Sequence, residues 1–264
     1  MNYFFSEWKR INKRLTNKKR IFFFDYDGTL TPIVKKPEYA KLDSQIKWLL
    51  KKLSEKYTVA IISGRPLYDI KKQVGLKNII YSGNHGFEIE TQINTDKKHR
   101  FTQIFIHPEA QKIKPIIQRI RPVLEKKIKN IKGAFVENKG LILSIHWRLV
   151  DKRYIPKLFV IIREVIRTNS RVVLTKGKKV WEIRPNINWD KGKAVRFILS
   201  LFPLPSSLFP VYIGDDTTDE DAFKMLKNGI TVRIGKLTKS NANYYLKNQS
   251  EIIKFLKTLS PELK

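Results

Sequence analysis

The chain has 264 residues, 42% of them hydrophobic, no cysteine, and a formal charge of +29 from 53 Lys and Arg against 24 Asp and Glu. That length supports one large domain or two modest ones, and the apolar content excludes wholesale disorder. Disulfides and thiolate chemistry are excluded, and no apolar run approaches the roughly 20 residues of a membrane-spanning helix, so no membrane partner is expected.

The stretch Met1–Arg20, "MNYFFSEWKRINKRLTNKKR", lacks a signal-peptide apolar region and cleavage site. A cytoplasmic location is therefore the default expectation, and residues 1–19 stand as an extension without an assigned role. From Arg20, "RIFFFDYD" reads as a buried strand and "DSQIKWLLKKLSEKY" as a helix with Asp43 or Ser44 at its N-cap. "TVAIISGRP" reads as a second buried strand, "LYDIKKQVG" as a short helix closed by Gly75, and "NIIYSGNHG" as a third strand ending in a turn. Strands alternate with helices and are nearly continuously apolar, the pattern of a parallel sheet covered on both faces. Sheets of this kind bind ligands beyond the C-terminal ends of their strands.

The middle of the chain differs. A helix is predicted from about Glu109 to Ile131, then two antiparallel strands in "GAFVENKG" and "LILSIHWRLV", a helix in "YIPKLFVIIREVIRT", and a second strand pair in "RVVLTKG" and "KVWEIRP". This α+β unit with an open sheet reads as an insertion at residues 108–185, between core segments 1–107 and 186–264. From about Asn186 the first pattern resumes. A helix in "KGKAVRFILSLF" precedes a buried strand "LFPVYIGDD", then a helix in "DEDAFKMLKNG" with a glycine stop, a strand "GITVRIG", and an amphipathic helix "SEIIKFLKTL" capped by Ser250.

Polar clusters sit at the predicted strand ends. In "FFFDYDGTLT", Asp25 and Asp27 are two apart, so in an extended strand both would face one spot, an arrangement that calls for a cation or a shared proton. Asp25 can act as a nucleophile toward phosphorus, and Asp27 can protonate a leaving oxygen and later deprotonate water. Gly28 and Thr29 would turn the chain and bring backbone N–H groups to phosphoryl oxygens. The plain alternative is a strand ending in an Asp-Gly turn. Ser63, Gly64 and Arg65 follow the second apolar strand, where a hydroxyl and an amide can hold a phosphate oxygen. Asp215, Asp216 and Asp219 crowd one strand end in "GDDTTDEDAF", and hard oxygen ligands with no nearby His or Cys favour Mg²⁺. Helix capping accounts for Thr218 or Asp219 but not for the group. Lys191, in "WDKGKAV", could screen charge between a nucleophile and a phosphoryl group; in so lysine-rich a chain the alternative is a surface residue.

The pieces "DYDGTLT", "SGR", "DKGK" and "GDDTTDEDAF" occur in the order seen in the haloacid-dehalogenase superfamily, which the chain resembles. "GNHGFEIE", "GAFVENKGLILSIHWR", "VWEIRP" and "WDKGKAV" look like trehalose-6-phosphate phosphatases in particular, from about Arg20 to Asn228. The resemblance implies a Rossmann-like α/β core with a small α/β cap, Mg²⁺, and hydrolysis of trehalose 6-phosphate. It makes Asp25 the nucleophile, Asp27 the general acid/base, Ser63 the phosphate-binding hydroxyl and Lys191 the motif lysine. Mg²⁺ would be held by Asp25, the Asp27 carbonyl and Asp215, with Asp216 and Asp219 in support. Glu137, Lys139, His146, Arg148, Glu182 and Arg184 would grip sugar hydroxyls, and His85 would line the pocket or stabilise its loop. A solvent-facing position for His146 and Arg148, and an ion pair of Glu182 with Arg184, are the structural alternatives. Sucrose 6-phosphate or a mannosyl-glycerate phosphate as substrate, and a catalytically silent sensor, are the functional ones.

The positive charge is spread in pieces such as "KKLSEK" and "KGKK", with no arginine-rich arm, helix-turn-helix or stacking motif, so no nucleic-acid partner is expected. It reads as a solvated lysine-rich surface that can also attract a small anion. A monomer is the expected state, with association to a trehalose-6-phosphate synthase left open.

Overall fold

The computed structural model describes residues 1–34, 37–94, 100–203 and 207–259. The chain divides into two compact units, one built from Met1–Phe105 and the segment from Trp189 onward, the other from Ile106–Asn188.

The first unit opens with β1 (Asn2–Tyr3), α1 (Trp8–Leu15), β2 (Lys19–Phe24), α2 (Ser44–Lys56), β3 (Thr58–Ile62), α3 (Leu67–Val74), β4 (Ile80–Gly83), β5 (Glu88–Asn94) and β6 (Arg100–Ile106). The second unit contains α4 (Pro108–Ile128), β7 (Phe135–Asn138), β8 (Leu143–His146), α5 (Ile155–Ile166), β9 (Val172–Gly177) and β10 (Val180–Pro185). The first unit then resumes with α6 (Lys191–Ser200), β11 (Leu208–Gly214), α7 (Asp219–Met225), β12 (Ile230–Ile234), β13 (Tyr244–Leu246) and α8 (Ile252–Leu259).

Among the described residues the large sheet runs β1-β13-β12-β11-β2-β3-β4-β5-β6, parallel from β1 through β4, with β5 antiparallel to β4. Its central strands are apolar on both sides because helices cover both faces. Phe22, Phe24, Val59 and Ile61 pack with Leu49, Leu50 and Leu53 of α2 and Phe255 of α8. Ile21, Phe23, Ala60 and Ile62 pack with Val195 and Ile198 of α6 and Phe223 of α7. Each such buried side chain contributes roughly 1.5–3 kcal/mol, so the register of β2 is fixed from both faces. That rigidity holds the first residue after the strand, Asp25, in one place.

Strands β5, β6 and β13 were not expected from the sequence, and three further elements differ from expectation. The stretch before Arg20 is part of the fold: Asn2 and Tyr3 pair with Tyr244 and Tyr245 of β13, and Phe4 is fully buried with its ring centroid 4.8 Å from that of Phe255. Helix α7 ends at Met225, and Gly229 instead donates its N–H to the Leu226 carbonyl at 2.8 Å in the following turn. Helix α8 is entered through a 3₁₀ turn whose cap is Asn248, which accepts from the Ser250 N–H. Ser250 is therefore the capped residue and not the cap.

In the second unit the strands run β7-β8-β10-β9, all antiparallel. Leu143, Ile145, Trp181 and Ile183 face α4 and α5 through Ile113, Ile117, Leu124, Leu158 and Ile162. By the period of two, Glu137, Ser144, His146, Glu182 and Arg184 occupy the opposite face, and Glu137 and Glu182 both lie directly across from Ser144. No helix of the described residues is long and apolar enough to cross a membrane.

Candidate active site

The site grows from the C-terminal ends of neighbouring strands β11, β2, β3 and β4. Asp25 follows β2 directly, and its N–H donates to the Ile213 carbonyl at 2.9 Å, extending the β2–β11 ladder by one rung. Its carboxylate is buried and accepts from Lys191 Nζ at 2.7 Å. The same ammonium donates to Asp219 Oδ1 at 2.7 Å, so Lys191, the first residue of α6, bridges two acids that come from distant parts of the chain. Asp219 also accepts from the Tyr212 hydroxyl at 2.8 Å, and its Oδ2 takes the N–H groups of Asp215 and Asp216, each at 2.9 Å. Asp215 follows β11, and its carboxylate lies against Gly28, where a Cβ would overlap it; Gly28 has φ +92°, a left-handed conformation suited to glycine.

One oxygen each from Asp25, Asp215 and Asp219 lies within 4.8 Å of the others, and all three residues are buried. Counted as fully ionised, three carboxylates beside one ammonium carry a net charge of −2 (−3 and +1), a repulsion that favours a bound proton or a cation. Burial pushes Asp25 well above the usual carboxylate range, against the pull of Lys191, and Asp219 and Asp215 push it further up. For Asp219 burial also opposes ionisation, but the Lys191 ammonium and the hydrogen bonds outweigh it and hold the group low. Burial works against the Lys191 ammonium, yet Asp219 and Asp25 keep its pKa well above the usual lysine value. The all-oxygen donor set, its excess negative charge and the space that Gly28 leaves open fit a hard divalent cation. This acidic cluster can hold a metal.

The Asp27 carboxylate does not join it. The strand ends at Phe24, the chain turns at Tyr26–Gly28, and the alternation that would have aligned the two acids stops there. Asp27 instead takes a bidentate grip from Arg65, with Nε to Oδ2 and Nη2 to Oδ1 both at 2.7 Å. Arg65 also donates to Asp69 Oδ2 at 2.7 Å and to the Pro37 carbonyl at 2.8 Å. It is 5% exposed, so its guanidinium is committed to holding Asp27 and is not displayed to a phosphate. The amides of Gly28 and Thr29 are likewise engaged in the turn, on the carbonyls of Thr31 (2.8 Å) and Tyr26 (3.3 Å). Asp216, expected in a supporting role, accepts from the Thr217 N–H at 2.7 Å and stays out of the buried cluster.

Ser63 follows β3 directly, and its hydroxyl accepts from the Arg65 N–H at 3.1 Å. The loop after β4 fastens this turn from behind, with Asn84 N–H on the Arg65 carbonyl at 2.7 Å and His85 N–H on the Ser63 carbonyl at 2.9 Å. To do so Asn84, His85 and Gly86 take successive φ values of +50°, +57° and +98°. For the two non-glycine residues such strain costs on the order of 1–3 kcal/mol each and persists only where the surroundings enforce it. The His85 ring packs on Gly64, where a Cβ would come within 2.6 Å of Cε1.

In the second unit, His146 Nε2 and Glu137 Oε2 are 2.7 Å apart, and the His146 ring stacks on Phe135 at 4.4 Å. Glu182 Oε1 accepts from Lys139 Nζ and from the Ser144 hydroxyl, each at 3.0 Å. Arg184 lies two residues along β10 from Glu182 and shares its face. Arg148 lies beyond the end of β8, is half-buried, and donates to the Lys178 carbonyl at 3.0 Å. The polar face is thus a set of paired acids and bases around Ser144.

Residues 23–250 match the trehalose-phosphatase family. The chain belongs to that family. It is 38% identical over 248 residues to trehalose-phosphate phosphatase B of Arabidopsis thaliana, covering 92% of this chain and 66% of that protein. Among solved structures it resembles a trehalose-6-phosphate phosphatase related protein, with TM-score 0.78 and 27% identity over 92% of this chain and 100% of that one. The C-terminal domain of the C. albicans trehalose-6-phosphate phosphatase shares the fold, with TM-score 0.79 and 24% identity over 96% of each chain.

Against this trehalose-phosphatase background, three residues of the centre escape a motif reading. Tyr212 sits within an apolar strand run, so nothing marks its hydroxyl as an Asp219 partner. Glu220 is one acid among several in "TTDEDAF". Arg233 carries the clearest signal, a charge inside the buried strand "ITVRI", where charges are rare unless paired. Its guanidinium reaches the Asp215 carbonyl at 2.7 Å.

Proposed function

We propose that the chain hydrolyses trehalose 6-phosphate to trehalose and phosphate, with Mg²⁺ as the cation and an aspartyl-phosphate on Asp25 as the intermediate. The observation that carries this reading is the buried Asp25 carboxylate held by Lys191 beside Asp215 and Asp219. Asp25 attacks phosphorus, the bond from phosphorus to the sugar oxygen breaks, and Asp27 delivers a proton to that oxygen. Water then attacks the phosphorus of the acyl phosphate, Asp27 takes the water proton, and cleavage of the P–O bond regenerates the Asp25 carboxylate. Lys191 fixes the nucleophile's orientation, and Arg65 fixes Asp27. Asp25, Asp215 and the Asp27 carbonyl would hold the cation, which when bound supplies positive charge against the phosphoryl oxygens. The Ser63 hydroxyl and the Gly64 turn would bind phosphate. Glu137, Lys139, His146, Glu182 and Arg184 would bind sugar hydroxyls through charged hydrogen bonds, with Arg148 at the margin of that face.

A phosphate-release assay across trehalose 6-phosphate, sucrose 6-phosphate, mannosyl-3-phosphoglycerate and glucose 6-phosphate, with and without Mg²⁺, tests the reading. The expected result is the highest kcat/KM on trehalose 6-phosphate, dependence on Mg²⁺, and no turnover by Asp25→Asn. Equal or higher kcat/KM on another ester rejects the substrate, and turnover by Asp25→Asn rejects the covalent route.

A further inference from the structure

The loop that presents Asp215 is gripped on both sides of its backbone. From one side Asp219 Oδ2 accepts the N–H groups of Asp215 and Asp216, each at 2.9 Å. From the other, Arg233 donates Nη2 to the Asp215 carbonyl at 2.7 Å and Nη1 to the Asp216 carbonyl at 3.2 Å. Arg233 can reach them because β12 runs parallel to β11 in a register that sets Arg233 beside Gly214, the residue before Asp215.

A guanidinium in a buried strand needs a counter-charge, and Glu220 supplies it at 2.9 Å from Nη1. Glu220 is itself pinned. Its Oε1 accepts from the Ser240 hydroxyl at 2.8 Å, and its Oε2 accepts from the N–H of Asn241 at 2.7 Å and the Asn241 side-chain amide at 3.2 Å. The result is a strut from the 240–241 loop through Glu220 and Arg233 to the peptide that carries Asp215.

We infer that Arg233, braced by Glu220, is a positioning residue for divalent-cation binding: it locks the Asp215–Asp216 peptide so that the Asp215 carboxylate is preset beside Asp25. This rests on reading the three-aspartate cluster as the cation site. Without the guanidinium the Asp215 carbonyl loses its donor at 2.7 Å, the Asp216 carbonyl keeps the Asp219 N–H at 3.2 Å, and the peptide is gripped only from the Asp219 side, so binding must then order a loop that is now held from both. Outer partners of this kind typically change metal affinity about 10–100-fold. The fold provides a matched control in Arg14, whose Nη2 donates to the carbonyls of Asn228 (3.0 Å) and Gly229 (3.2 Å) at the opposite end of β12, away from the cluster.

The test is calorimetric titration of Mg²⁺ and Mn²⁺ into the full chain without substrate, with the thermal midpoint followed over the same cation range. Arg233→Met is expected to raise the dissociation constant at least tenfold. Glu220→Gln, which keeps the hydrogen-bonding shape and removes the charge, should raise it threefold or more and serves if Arg233→Met does not fold. Arg14→Met should lower the thermal midpoint while changing the dissociation constant less than twofold. An affinity within twofold of wild type in Arg233→Met and Glu220→Gln, or a rise of the same size in Arg14→Met, overturns the inference while the cation site stands. Wild-type affinity in both Asp25→Asn and Asp215→Asn instead overturns the cation site on which it rests.

Discussion

Replacing Lys191 by Met tests the electrostatic core of the site directly. The ammonium bridges Asp25 and Asp219 at 2.7 Å each, with side-chain exposures of 2% for Lys191, 7% for Asp25 and 0% for Asp219. Solvent screening is therefore weak, and removing one partner of a buried pair leaves an uncompensated charge, a loss of about 3–5 kcal/mol. Methionine nearly matches the lysine stem, so the cavity contribution is small. Tyr212 and two amides still serve Asp219, which places the expected loss near the lower end, about 3 kcal/mol, out of a total stability of about 5–15 kcal/mol. Urea denaturation in EDTA measures it. A double-mutant cycle with Asp219→Asn should show coupling of about 1–3 kcal/mol, because the second change removes one of the stranded carboxylates. A loss below about 1 kcal/mol with additive single effects would mean that the bridge does not hold the acids, and the reasoning from burial would fail.

Arg65→Met should lower kcat/KM on trehalose 6-phosphate at least tenfold and on 4-nitrophenyl phosphate less than threefold. The aryl leaving group needs no proton and kcat/KM reports only the first half-reaction, so equal losses on the two esters would show that Arg65 does not act through Asp27. Phe4→Ala should cost about 3–5 kcal/mol in urea denaturation, since Phe4 is fully buried; a loss below 1 kcal/mol would detach residues 1–19 from the fold. The hydrogen bond to Glu251, with some burial, pushes the Tyr3 hydroxyl up to about 12 from 10.0. A group raised in the folded state contributes stability that is present below its unfolded pKa and lost as pH rises through the folded value. Wild-type protein should therefore lose more stability between pH 10 and 12 than Tyr3→Phe, and parallel curves from thermal melts would contradict the bond.

The core strands were legible because parallel strands buried on both faces read as unbroken apolar runs, and their ends announced themselves through polar residues: Asp25 after "IFFF", Ser63 after "VAII", Asp215 after "VYIG". What one strand end does to its neighbour was not legible. The spacing of Asp25 and Asp27 suggested a shared face, but the turn at Tyr26–Gly28 broke the alternation and Arg65, from a different strand end, captured Asp27. The pairing of β1 with β13 escaped because two- and three-residue strands carry no periodicity. Asn248 and Ser250 are both good capping types, and only the local geometry decides that Asn248 accepts. Arg65 and Lys191 were visible as motif letters, but their partners lie 38 and 166 residues away in sequence, beyond the reach of local pattern.

Several places where local rules are broken lie at the site. A cation at the start of a helix opposes the helix dipole, yet Lys191 is the first residue of α6 and Lys193 follows in the same turn. Lysine is rarely buried, arginine is rarely found inside a buried strand, and successive left-handed residues are strained, yet Lys191, Arg233 and the Asn84–Gly86 turn all occur within one unit. Each is unfavourable alone and is offset by another: Lys191 by Asp25 and Asp219, Arg233 by Glu220 and two carbonyls, the strained loop by its two bonds to the Ser63–Arg65 turn. Departures that offset one another in this way are expected where a chain is shaped for chemistry as well as for stability. Counted as ionised, Asp25, Asp215 and Asp219 beside Lys191 carry −2, and a divalent cation has the charge that offsets it.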